Sequence, residues 1–280
     1  MIGALIIVFR EVIEAGLIIG IVLAATRNTP GSRMWVSGGV LAGIAGSAIV
    51  AFSMTSIAGA FGGYGQEVFN AAILGTAVIM LVWHNVWMAG HGRAMANDLF
   101  AAGRDVLEGK RPLAALAIVV GAAVLREGAE VVLFLYGVAV SDGSTVGQMF
   151  AGGLAGVVLG GALSALTYFG LVRIPPRHLF LVTGILIAFL AAGMAAQAAA
   201  QLQQAGIVES LTATAWNTKH ILSERSLTGQ ILHTLIGYSE RPTVLQVVAY
   251  VGTLIAMYGL TRWARSHPAT AHTTQGAPAE

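Results

Sequence analysis

Seven apolar stretches, each long enough to cross a bilayer as a helix, leave this 280-residue chain few folds to choose from. They run over roughly residues 2–25, 35–59, 67–90, 113–139, 146–171, 178–202 and 243–263. A hydrocarbon core takes about 20 helical residues, and inside it helices satisfy their own backbone polar groups. Only 10% of the residues are charged and 56% are hydrophobic, whereas soluble domains carry about 25% charged residues. The expected fold class is an all-α integral membrane protein with seven transmembrane helices, multi-pass in a plasma or bacterial inner membrane. The first run starts at Ile2 with no basic stretch before it and exceeds a signal-peptide core, so it reads as a retained helix.

Turn signals separate the spans: Asn28-Thr29-Pro30-Gly31, Gly62-Gly63-Tyr64-Gly65, Ser141-Asp142-Gly143-Ser144 and Pro175-Pro176. The loop charges set the orientation. Arg27, Arg33, Arg93, Arg104, Lys110, Arg111, Arg173, Arg177, Arg262 and Arg265, ten basic residues, fall on one side. The other side holds Lys219, Arg225 and Arg241, all in one long loop. The positive-inside rule then places the N-terminus outside and the C-terminus in the cytoplasm.

Two arginines remain, and both lie inside apolar spans. Arg10 opens Arg10-Glu11-Val12-Ile13-Glu14, and Arg126 opens Arg126-Glu127-Gly128-Ala129-Glu130, 116 residues later. The host helices run in opposite directions, so the first six helices read as a 3+3 inverted repeat with a seventh appended. The expected domain is one permease unit over 1–265. It divides into repeat one at about 1–92, repeat two at about 113–202, an outer loop at about 203–242 and helix seven at about 243–263, followed by a disordered cytoplasmic tail at 266–280. Inverted-repeat transporters bind substrate near the midplane, at the repeat interface, and both motifs fall near mid-depth.

Helical spacing puts Arg10, Glu11 and Glu14 on neighbouring positions of one face, and likewise Arg126, Glu127 and Glu130. Ionised, these six residues would cost on the order of 15–20 kcal/mol in a membrane before pairing offsets any of it. Four carboxylates against two guanidinium groups leave two acids without a cationic partner. Such an oxygen-rich site suits a hard cation, with ferric iron, Mg²⁺, Mn²⁺ and Ca²⁺ all admissible on ligand type. A proton relay is a second reading, and a pair of ion-pair staples between helices is the plain structural one.

The two Arg-Glu-x-x-Glu motifs resemble those of the oxidase-dependent iron permeases, the high-affinity ferric iron permeases of fungi and bacteria. Gln66-Glu67-Val68-Phe69, Trp216-Asn217-Thr218 with Leu222-Ser223-Glu224, and Leu245-Gln246-Val247-Val248-Ala249-Tyr250 extend the resemblance over nearly the whole chain. The resemblance implies import of iron, expected as Fe³⁺, bound by Glu11, Glu14, Glu127 and Glu130, with Arg10 and Arg126 supporting them. It also implies a partner, an oxidase or a periplasmic iron-handling protein. Amides stand at Asn70 and Asn217, where many members of that family carry acids. Iron is then the transported substrate, with no permanently bound cofactor and no nucleic acid partner. Uptake of another cation such as lead, manganese or zinc is the alternative.

Glu67, at the outer start of its helix, is a weaker candidate ligand beside its reading as a charge favoured by the helix dipole. Glu224 reads first as a loop charge. His84 and His91 share a face near the expected cytoplasmic end of helix three and could receive a departing ferrous ion, although interfacial histidines are commoner. Trp35, Trp83, Trp87 and Trp263 suit an aromatic belt. Gly39 with Gly43, and Gly152 with Gly156 and Gly160, suit close helix packing. The loop around Leu222, Leu227, Ile231, Leu232 and Leu235 can form an amphipathic helix on the outer surface. No Ser-His couple, His-Glu-x-x-His or nucleotide loop supports an enzyme or a direct ATP drive, and the absence of cysteine removes thiolate ligands.

Overall fold

The computed structural model describes residues 1–60, 66–142, 145–170, 176–224 and 226–267. The Gly62–Gly65 turn, most of the 266–280 tail, Arg173 and Arg225 lie outside the described residues, as do parts of the turns at 141–144 and 175–176. Eight helices follow one another among the described residues: α1 (Ile2–Ala25), α2 (Ser32–Ala60), α3 (Gln66–Leu107), α4 (Ala114–Asp142), α5 (Val146–Tyr168), α6 (Pro176–Gln204), α7 (Leu227–Ile236) and α8 (Val244–Ser266). Apart from one isolated bridge between Thr214 and Thr243, no strand pairing occurs there.

By length and composition, α2, α3, α5, α6 and α8 qualify as membrane spans. The helices α1 and α4 are also long, at 24 and 29 residues, but each interrupts its apolar run with one arginine and two glutamates. Their charges point inward. Arg10, Glu11, Glu14, Glu127 and Glu130 are buried, while large apolar side chains such as Leu41, Ile49 and Phe52 of α2 or Val146 and Phe150 of α5 cover the outside. This inversion of a soluble protein's pattern is what a lipid solvent favours.

Local chemistry fixes the helix ends. Gly31, at φ 82°, closes the short α1–α2 turn, where Ser32 Oγ donates to the Thr26 carbonyl at 3.1 Å. Capping boxes start α5 (Thr145 with Gln148) and α8 (Thr243 with Gln246). Ser226 caps α7, and Gly237 in the left-handed region ends it.

The packing is paired. The first helix lies against α5 and the fourth against α2, while α3 pairs with α6 and both contact α8. Small residues bring the partners close. A Cβ on Gly39 of α2 would lie 2.5 Å from the Ala117 carbonyl oxygen, and one on Gly156 of α5 would lie 2.9 Å from backbone atoms of Leu5 and Phe9.

Two apolar clusters bracket a polar layer. One gathers Ile7, Leu74, Ala77, Leu81, Phe134, Val138, Ile187, Leu190 and Met194 from α1, α3, α4 and α6. The other gathers Val22, Val36, Val106, Leu116 and Val120 from α1 to α4. Along α1 the glutamates fall between Ile7 and Val22, and along α4 between Val120 and Phe134, so both motifs occupy the layer between the clusters.

The third helix departs from the expected 67–90 span. It continues for 42 residues, about 63 Å at 1.5 Å per residue. Its last part is rich in alanine and charge with no proline, so nothing stops the helix when the apolar run ends. Leu99 and Val106 pack this extension against the second cluster, and ion pairs of Asp105 with Arg111 and Glu108 with Lys110 finish it.

The long loop after α6 is stapled rather than loose. Glu224 and Glu240 each accept from the other's backbone N–H, at 2.8 and 3.1 Å. Tyr238 joins Thr218 at 2.6 Å and donates to the Leu222 carbonyl at 2.8 Å. The amphipathic helix expected here forms as α7, but Leu222 precedes it, and α7 packs against α6 and α1 with Leu235 on the margin of the apolar core.

Candidate metal centre

Each motif folds its own ion pairs. Arg10 Nη1 donates to Glu11 Oε1 at 3.2 Å, and Arg10 Nη2 lies 3.0 Å from Glu14 Oε1. In the second motif Arg126 Nη2 lies 2.9 Å from Glu127 Oε1, and its Nε 3.5 Å from Glu130 Oε1. The i,i+4 geometry of a helix dictates the longer-range contact in each case.

What joins the two motifs is a residue from neither. His84 of α3 is 2% exposed and sits between them, with Nε2 3.0 Å from Glu14 Oε2 and Nδ1 2.6 Å from Glu130 Oε2. Two carboxylates on the two ring nitrogens need two protons shared among three groups. The ring continues the buried stripe of Leu74, Ala77 and Leu81, whose spacing of three and four residues keeps them on one face of α3.

The result is a closed set of ligand-type atoms. Glu11, His84, Glu127 and Glu130 each offer one atom, and all four atoms lie within 4.8 Å of one another. Oε2 of Glu11 and Oε2 of Glu127 are buried with no hydrogen-bond partner. Buried oxygens without donors are costly, and a cation at their centre would satisfy them. Glu14 completes the ring of acids through His84. Three carboxylates and an imidazole fit a divalent transition metal held by oxygen and nitrogen.

The surroundings differ on the two sides of this layer. Toward the α7 end, Phe134, fully buried one turn beyond Glu130, closes the cluster off together with Ile7, Leu81 and Met194. Beyond that apolar layer lies a cavity of about 290 Å³ with Gln197, Glu224, His233, Ser239 and Gln246 on its walls. Toward the other end, the Arg126 side chain is 39% exposed, and its guanidinium lies 5.3 Å from the centroid of the Trp87 ring. Trp87 in turn stacks on His91, with centroids 5.1 Å apart.

The six motif residues anticipated from sequence therefore meet at one place, and Glu67 does not join them. Glu67 is exposed in the first turn of α3, seventeen residues before His84, which is about 26 Å along the axis. Glu224 serves its clamp with Glu240 and borders the cavity. The Asn217 amide oxygen accepts from Arg241 Nε and Lys219 N, both at 3.2 Å, so it braces the loop. Sequence reasoning placed His84 near a helix end and Trp87 in an aromatic belt; packing brings both to the motifs. The 74, 77, 81, 84 spacing was the available signal for His84. Trp35, Trp83 and Trp263 do face outward.

The sequence model of the iron permease FTR1 family matches residues 1–263. The chain belongs to that family. The ferrous iron permease EfeU of Escherichia coli O6:K15:H31 (strain 536 / UPEC) is 30% identical over 254 residues, covering 89% of this chain and 91% of that protein. The ferrous iron permease EfeU of Yersinia pestis is 31% identical over 257 residues, covering 89% of each. No solved structure matches. Iron permease membership and the apolar spans make this a multi-pass membrane protein of iron transport.

Proposed function

We propose that the chain imports iron across a plasma or bacterial inner membrane, with Glu11, Glu14, Glu127 and Glu130 as the acids that carry the ion and Arg10 and Arg126 as their supports. The observation that carries this reading is the convergence of two motifs, 116 residues apart, on one buried cluster. The topology we infer has seven crossings, α1 to α6 and α8, in one permease domain over 1–265, with the N-terminus outside and α7 at the outer face. The reciprocal pairing of α1 with α5 and α4 with α2 supports a 3+3 inverted repeat. The cavity beneath α7 is then the outer vestibule, the Phe134 layer the closed outer gate, and the Arg126–Trp87 side the route inward.

Charge favours Fe²⁺ at the site over the Fe³⁺ expected from sequence. Once a bound ion displaces one of the two protons that His84 shares with Glu14 and Glu130, four carboxylates, two guanidinium groups and a neutral imidazole sum to −2. Fe²⁺ brings that to zero, whereas Fe³⁺ leaves a net positive charge in a low-dielectric interior, where unpaired charge is expensive. The relatives' name, ferrous iron permease, agrees. A partner on the outer side, an oxidase or a periplasmic iron-handling protein, would set the form in which iron arrives.

The test is iron uptake by iron-starved cells expressing wild type, Glu14→Gln or Glu130→Gln at equal membrane levels, with ferrous and ferric iron supplied separately. Both variants are expected to lose uptake. Uptake that survives in both would reduce the motifs to helix staples, and competition by manganese or lead that outruns iron would move the reading to another cation.

A further inference from the structure

We propose that His84 is itself a ligand of the transported ion, contributing a nitrogen donor to an otherwise carboxylate site and setting its preference for borderline divalent ions over hard ones. This rests on the reading of the cluster as the iron site and deepens it.

The third helix contributes no acid to the cluster, yet it delivers an imidazole to the midpoint between the two motifs. Every other inward position of its stripe, Leu74, Ala77 and Leu81, is apolar and buried. A polar ring in that stripe costs free energy unless its nitrogens are engaged. Among the described residues it is the only buried histidine. A strut joining α1 to α4 needs one hydrogen bond on each side, and an amide side chain would serve. The donor set asks for more. Glu11 Oε2 and Glu127 Oε2 lack hydrogen-bond partners although they are buried, and a ring nitrogen lies within 4.8 Å of the ligand atoms of Glu11, Glu127 and Glu130.

The consequence is selectivity. Carboxylate and water ligands suit Mg²⁺ and Ca²⁺, while imidazole suits iron, zinc and copper. A cluster of glutamates alone would discriminate poorly between Fe²⁺ and the far more abundant Mg²⁺. One imidazole at its centre adds the needed distinction, and a chain without cysteine has no thiolate to provide it.

The direct test uses the full-length protein in detergent, loaded with Mn²⁺ as an air-stable surrogate for Fe²⁺ and examined by pulsed electron paramagnetic resonance. The wild type is expected to give nitrogen modulation from a coordinated imidazole, and His84→Gln to lose it. In parallel, His84→Gln is expected to bind Fe²⁺ about 10–100-fold more weakly, with a much smaller change for Mg²⁺, so that the ratio between the two collapses. A structural strut would weaken both ions equally. Wild-type protein that binds Mn²⁺ without nitrogen modulation overturns the proposal without any variant having to fold. Modulation that persists in His84→Gln does the same. The functional reading has its own arm. If Glu11→Gln and Glu130→Gln bind Mn²⁺ as the wild type does, the ion is not at the cluster and both readings fall. If they lose it while nitrogen modulation is absent from the wild type, only the role of His84 falls.

Discussion

The two Arg-Glu-x-x-Glu motifs share a pattern and not an environment. In α1 the Arg10 side chain is 3% exposed and meets both of its glutamates within 3.2 Å. In α4 the Arg126 side chain is 39% exposed, and one of its two contacts stretches to 3.5 Å. Packing explains the difference. The first helix packs against α3, α4, α5 and α6 and the fourth against α1, α2, α3 and α6, but Arg126 sits at the rim of its contacts, with Trp87 near one face of its guanidinium. Coulomb attraction and desolvation both grow as water is excluded. The same five-residue pattern therefore yields an enclosed cation in one copy and a partly exposed one in the other. The α1 copy is thus the more tightly enclosed of the two.

The largest effect that would test this asymmetry is on stability. Arg10→Ala strands Glu11 and Glu14 in the core and is expected to cost about 3–5 kcal/mol. Arg126→Ala strands Glu127 and Glu130, but Glu130 keeps its contact with His84, so the expected cost is smaller, about 1–3 kcal/mol. Thermal unfolding of the two variants in detergent measures this, and equal destabilisation would break the comparison. Next come the helix seats. Gly156→Val, against α1, and Gly39→Val, against α4, each force a side chain into backbone and should cost about 1–3 kcal/mol. Similar losses from the two would locate the asymmetry in the arginines and not in how the helices are seated.

A smaller effect belongs to the aromatic cover. Trp87→Ala removes the ring beneath Arg126 and is expected to cost about 0.5–1 kcal/mol, while Trp83→Ala, exposed on the same helix, should leave the melting temperature unchanged. The smallest expected effect lies beyond the end of α3. The Lys110 ammonium, 2.6 Å from Glu108, holds that carboxyl below its usual range. A depressed carboxyl stabilises above its ordinary titration range and loses that contribution as pH falls. Both side chains are exposed to solvent, so Lys110→Ala should give the same melting temperature at neutral and mildly acidic pH.

Long apolar runs and charges inside them were legible because each is a property of a single helix. Length and hydropathy mark α2, α3, α5, α6 and α8, and the i,i+3 and i,i+4 spacings foretell which side of α1 and α4 the acids share. His84 was harder to read. It carries no spacing relation to either motif, and only the insertion of α3 between α1 and α4 brings it to Glu14 and Glu130. Trp87 was read as an interfacial aromatic for the same reason, since its partner Arg126 is on another helix. The difference in exposure between Arg10 and Arg126 was equally hidden, because it depends on where each arginine sits within the contacts of its helix. The overlong α3 has a local cause, for alanine and charge continue a helix past the end of an apolar run.

The central claim is that iron crosses through the buried acids of both motifs together. The most direct measurement is radioactive Fe²⁺ uptake into sealed proteoliposomes holding the purified chain, comparing wild type with Glu14→Gln and with Glu130→Gln. Intact insertion would be established for all three. The account predicts time-dependent uptake by the wild type and a fall of about 10–100-fold in each variant, one motif being insufficient without the other. Uptake that persists at the wild-type rate in either variant would contradict it, because the ion would then be passing a cluster it does not need.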